Sequence, residues 1–268
     1  MRLALSCLVS ALCLSPARAD ELNFFQQALA QDWIVTLSAD VSGAPAYDGA
    51  RHWRPLLYPG VAVRRVGAPF EFSTPDDAFG PALFDNGWLK AGPVLAIKPS
   101  RSSAGNPELR GLHFLEWTIE GGAFVEYWPS AELRTRVEIA RTLFEEGGAI
   151  ARLSADYVAR PGLWTLSAGP RVALADGPYQ RAYFSVSPTE AAANGRVAPY
   201  VAKAGLRSVG LLGAASYPLS DAWRGTLYAG LDRLVGPAGA SPIPVVLGSR
   251  NQVTLGAIAS YSFRVDAR

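Results

Sequence analysis

Apolar and polar residues alternate along most of this chain beyond its first thirty positions, and the last run is the clearest. Val253, Leu255, Ala257, Ala259, Tyr261 and Phe263 fall on one side of an extended strand. Gln252, Thr254, Gly256, Ser260 and Ser262 fall on the other, with Ile258 the one exception. One face is apolar and closes on two aromatic rings; the other is polar and small. A strand of a soluble sandwich is usually about half as long. About ten alternating residues ending in aromatics is the length that crosses a bilayer at a tilt, with the rings at headgroup level. The pattern predicts a strand with lipid on one face and a lumen on the other.

The same alternation recurs upstream. Trp33, Val35, Leu37, Ala39 and Val41 oppose Thr36, Ser38 and Asp40 in a first strand. Further strands are predicted over 56–66, 70–73, 89–97, 115–127, 133–143, 149–159, 164–174, 179–186, 200–217 and 223–235. Between them lie turn-rich stretches, the longest at 43–53, 76–87, 100–111, 187–199 and 236–249. With the terminal run this gives about 12 strands, or about 10 if the short segments 70–73 and 179–186 are set aside. No repeat or composition break divides the chain. The expected fold is all-β, a transmembrane antiparallel up-and-down β-barrel formed by residues 20–268 as one domain.

Charge sharpens the assignment of faces. Leu115, Trp117, Ile119, Ala123, Val125 and Tyr127 oppose Glu116, Thr118, Glu120 and Glu126, and Leu133, Val137, Ile139 and Leu143 oppose Glu132, Arg134, Arg136 and Glu138. A cationic side chain turned to lipid at the midplane costs roughly 2–4 kcal/mol. Glu116, Glu120, Glu132, Arg134, Arg136 and Glu138 are therefore expected in the lumen, paired across strands or facing water. Such a set either fills a narrow interior or lines a selective pore. Outside the strands, Asp76-Asp77 and Glu145-Glu146 read as solvated turn residues.

The first nineteen residues read as a cleaved export signal: Arg2, an apolar stretch from Leu3 to Leu14, and Ala17-Arg18-Ala19 as the cleavage site. Both cysteines, Cys7 and Cys13, leave with it, so the mature chain has neither a disulfide nor a thiolate site. Arg2 and Arg18 leave as well, which lowers Lys+Arg from 25 to 23, equal to Asp+Glu at 23. A neutral mature chain lacks the basic footprint of a nucleic-acid binder, although the full sequence has a pI near 8.6. Beyond the signal no apolar run is long enough for a helical anchor, yet 49% of residues are hydrophobic. Apolar residues spread in period-2 segments are how a membrane barrel carries its lipid face.

Several short motifs resemble the MipA/OmpV family of outer-membrane proteins. Pro45-Ala46-Tyr47-Asp48-Gly49 is similar to an early Pro-x-Tyr-x-Gly signature. Tyr183-Phe184-Ser185-Val186-Ser187-Pro188, followed by Glu190-Ala191-Ala192, is similar to a Tyr-Phe-Gly-Val motif and its alanine-rich loop. Ser241-Pro242, Gly248 and the Tyr261-Ser262-Phe263 ending complete the resemblance. Two positions depart from it: the chain continues through Arg264 to Arg268 beyond the aromatic end, and Gly236-Pro237 stands where members often carry Gly-Asp. The resemblance implies an outer-membrane barrel surrounded by lipid and lipopolysaccharide. It also implies a scaffold role that ties a murein lytic transglycosylase to a penicillin-binding protein.

Material for catalysis is sparse. His52 and His113 are the only histidines. His113 beside Phe114, with Ser102, Ser103 and an acid from Glu116 or Glu120, is the one combination that imitates a membrane-barrel lipase. Two distant histidines and no mature cysteine do not make a zinc site. The expectation is a non-enzymatic scaffold without a cofactor, the alternative a selective channel for small solutes. Trp33, Trp88, Trp117, Trp128, Trp164 and Trp223 are expected near strand ends, as an interfacial belt.

Overall fold

The computed structural model of the chain describes residues 32–68, 70–143 and 147–267. The export signal, the lead over 20–31 and the Glu145-Glu146 pair lie outside the described residues. Eleven strands are present: β1 Trp33–Pro45, β2 Trp53–Arg65, β3 Phe84–Asp85, β4 Leu89–Lys98, β5 Thr118–Tyr127, β6 Leu133–Thr142, β7 Ala149–Ala159, β8 Thr165–Ala175, β9 Gly205–Pro218, β10 Trp223–Leu234 and β11 Asn251–Val265. They form a single sheet in the order β2-β1-β11-β10-β9-β8-β7-β6-β5-β4-β3, every neighbour antiparallel. Among the described residues three α-helices, α1 Gly177–Phe184, α2 Pro188–Asn194 and α3 Gly236–Ala240, and two short turns of other helix, Pro107–Leu109 and Ile243–Leu247, lie in the connections.

The strand count falls between the two expected values because two short segments are not strands. Most of the 179–186 stretch, through Phe184, is helical: the Asp176 side chain accepts from Tyr179 N–H and Pro178 stands in the first turn, a start signal that outweighs the alternating aromatics. The 70–73 stretch leaves the sheet altogether, and the extra two-residue strand Phe84–Asp85 lies where a loop was expected.

Side-chain exposure follows the predicted parity. Trp117 and Ile139 are 62% and 60% exposed, whereas Glu120 and Arg134 are 0% exposed. In a sandwich or a helix-covered sheet these values would be reversed. A belt of exposed Leu, Val, Ile and aromatic side chains runs around the outside, including Leu57, Val63, Leu211, Leu227 and Leu255. A contiguous apolar belt of this kind is suited to hydrocarbon, not to water.

The two rims differ. At one rim β3–β4, β5–β6, β7–β8 and β9–β10 are joined by short turns, and aromatic rings gather there. Trp88 packs on Tyr127, Trp164 on Tyr217 and Trp223 on Tyr261, with centroids 4.8 to 5.8 Å apart. At the other rim long connections fold over the opening. They form an apolar cluster of their own from Ala46, Tyr47, Ala50, Leu109, Val186, Ala191, Val197, Ile243 and Leu247.

β1 and β11 pair over eleven residues, from Trp33↔Val265 to Gly43↔Leu255, so strands from opposite ends of the chain lie side by side. The edges of the sheet are therefore β2 and β3. Pro55 and Pro59 sit on β2 opposite Gly43 and Ala39 of β1. Proline has no N–H to give, so these positions fit only where the strand's donors point away from β1, towards the free edge. They remove two donors that would otherwise face hydrocarbon.

Candidate functional site

The lumen is where the chemistry-bearing side chains converge, and register brings them together. Glu126 lies opposite Arg136 across β5–β6, and Arg134 opposite Asp156 and Glu138 opposite Arg152 across β6–β7. Unlike charges thus face each other on adjacent strands, where each neutralises the other. Arg134 is wholly buried; its Nη2 donates to Glu126 Oε2 and to Asp77 Oδ2, both at 2.7 Å, and its Nη1 to Asp156 Oδ2 at 3.2 Å. Arg136 Nε donates to Glu138 Oε1 at 2.8 Å and Nη1 to Glu126 Oε2 at 3.3 Å. Its guanidinium lies over the Phe124 ring, 3.7 Å from the centroid. Glu120 is held by Arg152 and by the Tyr179 hydroxyl at 2.9 Å.

Of the six expected lumen charges, four are in this network: Glu120, Arg134, Arg136 and Glu138. The other two are not. Glu116 is exposed in the loop ahead of β5, and Glu132 is exposed in the β5–β6 turn, where Ser130 Oγ donates to its carboxylate at 3.0 Å. Both positions lie just past a strand end, so the two-residue period no longer sets their direction.

Asp76 and Asp77 depart from the sequence reading in part: Asp76 stays exposed in a turn, as expected, but Asp77 is largely covered and both carboxylates are ion-paired inside the barrel. From the end of β2 the chain re-enters the barrel at the short-turn rim, where Phe72 packs on Trp128 and Phe70 lies under the Arg224 guanidinium. It then crosses the interior. Asp77 reaches Arg134, and Asp76 Oδ2 accepts from Arg171 Nε at 2.6 Å. Thr74 N–H and Oγ1 donate to Asp77, closing a compact turn, and Ala78 N–H donates to Glu138 Oε1 at 3.1 Å. The segment then leaves along β4, with Leu95 N–H donating to Phe79 O at 2.7 Å. We call residues 70–78 the strap.

Arg152, Asp156, Arg171, Arg207 and Asp232 also line the interior. Arg152 and Asp156 could have been found from Leu153 and Tyr157, since alternation turns their neighbours to the other face. Arg207 could not. It is the extra residue at an irregularity between β8 and β9, where Ser208 pairs with Ala173 and Leu206 with Leu174. That bulge re-aims its guanidinium onto Asp48, with Nη2 2.7 Å from Oδ2.

The family-motif residues form a second group, mostly at the long-loop rim. Tyr47 donates to Glu108 Oε1 at 2.9 Å, and Ser241 Oγ donates to Phe184 O at 2.7 Å. Phe184 and Ser241 are fully buried. Gly49 adopts φ 98° against Pro244, and Gly248 packs so closely on the Gly49 carbonyl that no side chain fits between them. Pro45 ends β1, Tyr183 stacks on Tyr179 at 4.7 Å, Pro188 begins α2 and Pro242 leads into the Ile243–Leu247 turn. These stretches, far apart in sequence, make the cap. Phe263 alone lies at the opposite rim, stacked on Tyr261.

His113 is part of the cap as well. Its backbone N–H donates to Glu190 Oε1 at 2.7 Å and its Nδ1 lies 2.6 Å from the same oxygen, while Ser187 closes a capping box on the other. Partial burial would raise the Glu190 pKa, but the hydrogen bonds from Ser187 and His113 outweigh it and bring the group down to about 2. The lipase-like set is not assembled: Glu190, rather than Glu116 or Glu120, is the acid beside His113. Among the described residues neither Ser102 nor Ser103 hydrogen-bonds to it through its hydroxyl. His52 Nε2 meets Asn106 Oδ1 at 2.8 Å in the same cap.

The model of the family described as MltA-interacting protein MipA matches residues 37–263. The chain belongs to the MipA family. No curated protein sequence matches this MipA-family chain. Among solved structures it is similar to Neisserial surface protein A, at 10% identity over 86% of this chain and 97% of that one, TM-score 0.28. It is similar to an outer membrane channel from Pseudomonas putida F1, at 12% identity over 87% and 96%, TM-score 0.35. The translocator domain of the autotransporter NalP from Neisseria meningitidis is a third, at 11% identity over 93% and 96%, TM-score 0.33. Family membership and the apolar belt together identify an outer-membrane β-barrel.

Proposed function

We propose that this MipA-family barrel is a non-enzymatic scaffold of the cell envelope, holding murein-active proteins at its short-turn rim. The observation that carries the reading is the obstructed interior. The strap crosses the lumen on ion pairs to Arg134, Arg136 and Arg171, and the cap covers one opening. A wall without an open bore has its rims as its working surfaces. Bacterial barrels usually turn their short connections to the periplasm, where murein lies. The turns between β3 and β4, β5 and β6, β7 and β8, and β9 and β10 are then the docking face. Export by the 1–19 segment belongs to the same reading. The family description supports a murein transglycosylase as one partner, and the family resemblance a penicillin-binding protein as the other.

Affinity capture of the tagged barrel from gently solubilised envelopes tests this. Recovery of a murein hydrolase or synthase above a porin control is expected, and recovery no greater than the control defeats the scaffold. A second reading, a selective channel, is favoured by one observation. Two cavities of about 190 and 240 Å³ remain in the lumen on either side of the Asp76–Arg171 pair. Steady conductance of the unaltered barrel in a planar bilayer would support that reading instead.

A further inference from the structure

The strap fills the lumen without belonging to the wall. Among the described residues it makes no backbone–backbone hydrogen bond to any strand; Asp77 N–H to Thr74 O, at 3.1 Å, closes its own turn. Charge holds it, through Asp77 on Arg134 at 2.7 Å and on Arg136 at 3.6 Å, and through Asp76 on Arg171 at 2.6 Å. Each of these arginines also keeps a carboxylate on the wall. Arg134 has Glu126 and Asp156, Arg136 has Glu126 and Glu138, and Arg171 has Asp156 at 2.9 Å. Withdrawing the strap therefore leaves no buried guanidinium unpaired, and an unpaired charge is what normally locks a buried ion pair in place. Asp76 and Asp77 themselves would pass to water at the short-turn rim, where Phe70 and Phe72 already lie.

The strap is also the partition between the two cavities. Asp76, Arg171 and Asp232 line both of them. With the strap in place, the smaller cavity is lined by Arg136, Arg152, Arg171 and Arg207 against Asp76, Asp77, Glu138 and Asp232. Without it, the four guanidiniums keep Glu138, Asp232 and their other wall carboxylates, Glu126, Glu120, Asp156 and Asp48, so the space would be lined by both signs of charge. We propose that residues 70–78 are a displaceable gate whose withdrawal joins the two cavities into a passage for small ions. This goes beyond the scaffold reading and does not depend on it.

The test uses the purified full-length barrel in a planar bilayer with a KCl gradient, its folding checked by heat-dependent gel mobility. One variant carries Asp76→Asn with Asp77→Asn; a second replaces residues 71–78 by a glycine-serine stretch of the same length. Both are expected to show discrete openings at least tenfold more often than the unaltered barrel. Folded variants that stay as silent as the parent overturn the gate. A parent that opens as often as the variants overturns the strap as the barrier. Should neither variant fold, the parent is compared at about 0.1 and about 1 M KCl, where screening shortens from about 10 to about 3 Å. More frequent opening at high salt, beyond the rise in bulk conductivity, is expected, and an unchanged open probability overturns the proposal. Capture of murein enzymes is read separately, so failure of one idea leaves the other standing.

Discussion

The two halves of this wall solve the same problem with different side chains. On β5, β6, β7 and β8 the lumen face carries Glu120, Glu126, Arg134, Arg136, Glu138, Arg152, Asp156 and Arg171, and the strap lies against it. On β9, β10, β11, β1 and β2 the lumen face carries fewer ion pairs and more small and hydroxylated side chains. Thr36 bonds to Ser262 and Ser216 to Thr226, each at 2.8 Å, and Tyr228 spans the gap to Asp40 at 3.0 Å. Gly256 lies directly opposite Tyr228 and leaves room for its ring. One half holds an interior segment by many mutually dependent charges; the other needs only close approach of backbones. The larger cavity lies against the second half, bounded by Tyr58, Tyr228 and Asp40.

Substitution should therefore hurt the two halves unequally. The largest effect is expected from Arg134→Met, which leaves Asp77, Glu126 and Asp156 short of a partner. Losing one member of a buried charge network typically costs about 3–5 kcal/mol, read as a lowered midpoint in urea titration of the detergent-folded barrel. A midpoint within error of the parent would remove the network as the organiser of that half. Next comes Gly122→Ala on β5, whose added methyl meets the Ile139 carbonyl and the Ala140 backbone of β6. Overpacking against backbone costs about 1–3 kcal/mol, and the same titration reads it. On the other half, the methyl of Gly60→Ala meets only the Ser38 side chain, whose hydroxyl can rotate away. A change within about 0.5 kcal/mol is expected there; equal penalties for the two glycines would erase the distinction.

The smallest effect is one of pH, and it belongs to the cap. Glu190 is held at about 2, below its ordinary value. Its contribution is therefore fully present above the unfolded value of about 4.3 and fades as pH falls towards 2. Protection of the amides over 188–194, relative to their intrinsic exchange rates, should fall on acidification from pH 5 to about 2.5 while that of the wall strands changes little, and Glu190→Gln should flatten that response. A loss of protection that survives the substitution would mean that another group holds the loop.

The wall was legible from the sequence because lipid on one side forces strict alternation, so parity alone put Glu120, Arg134, Arg136 and Glu138 inside. Parity fails where the chain is no longer extended, which is why Glu116 and Glu132 were misplaced. The strap was missed for a different reason. Phe70, Phe72, Asp76 and Asp77 have the composition of an ordinary turn-flanked segment, and only the three-dimensional position of Arg134 and Arg171 makes them interior residues. Pro55 and Pro59 mark a sheet edge that alternation alone does not read, since a central strand rarely tolerates two prolines four residues apart. The helix at 177–184 was signalled too, by Asp176-Gly177-Pro178, but its aromatics imitate a strand.

The adjacency of β1 and β11 has a consequence for how such a protein comes into being. Their contacts span more than two hundred positions of the polypeptide, the kind of pairing that makes folding slow. Until the final fifteen or so residues are delivered, the opening strand has its partner on one flank only. A nascent chain of this design waits, half-laced and prone to stick, and its biogenesis must rely on whatever keeps it apart from its fellows in the meantime.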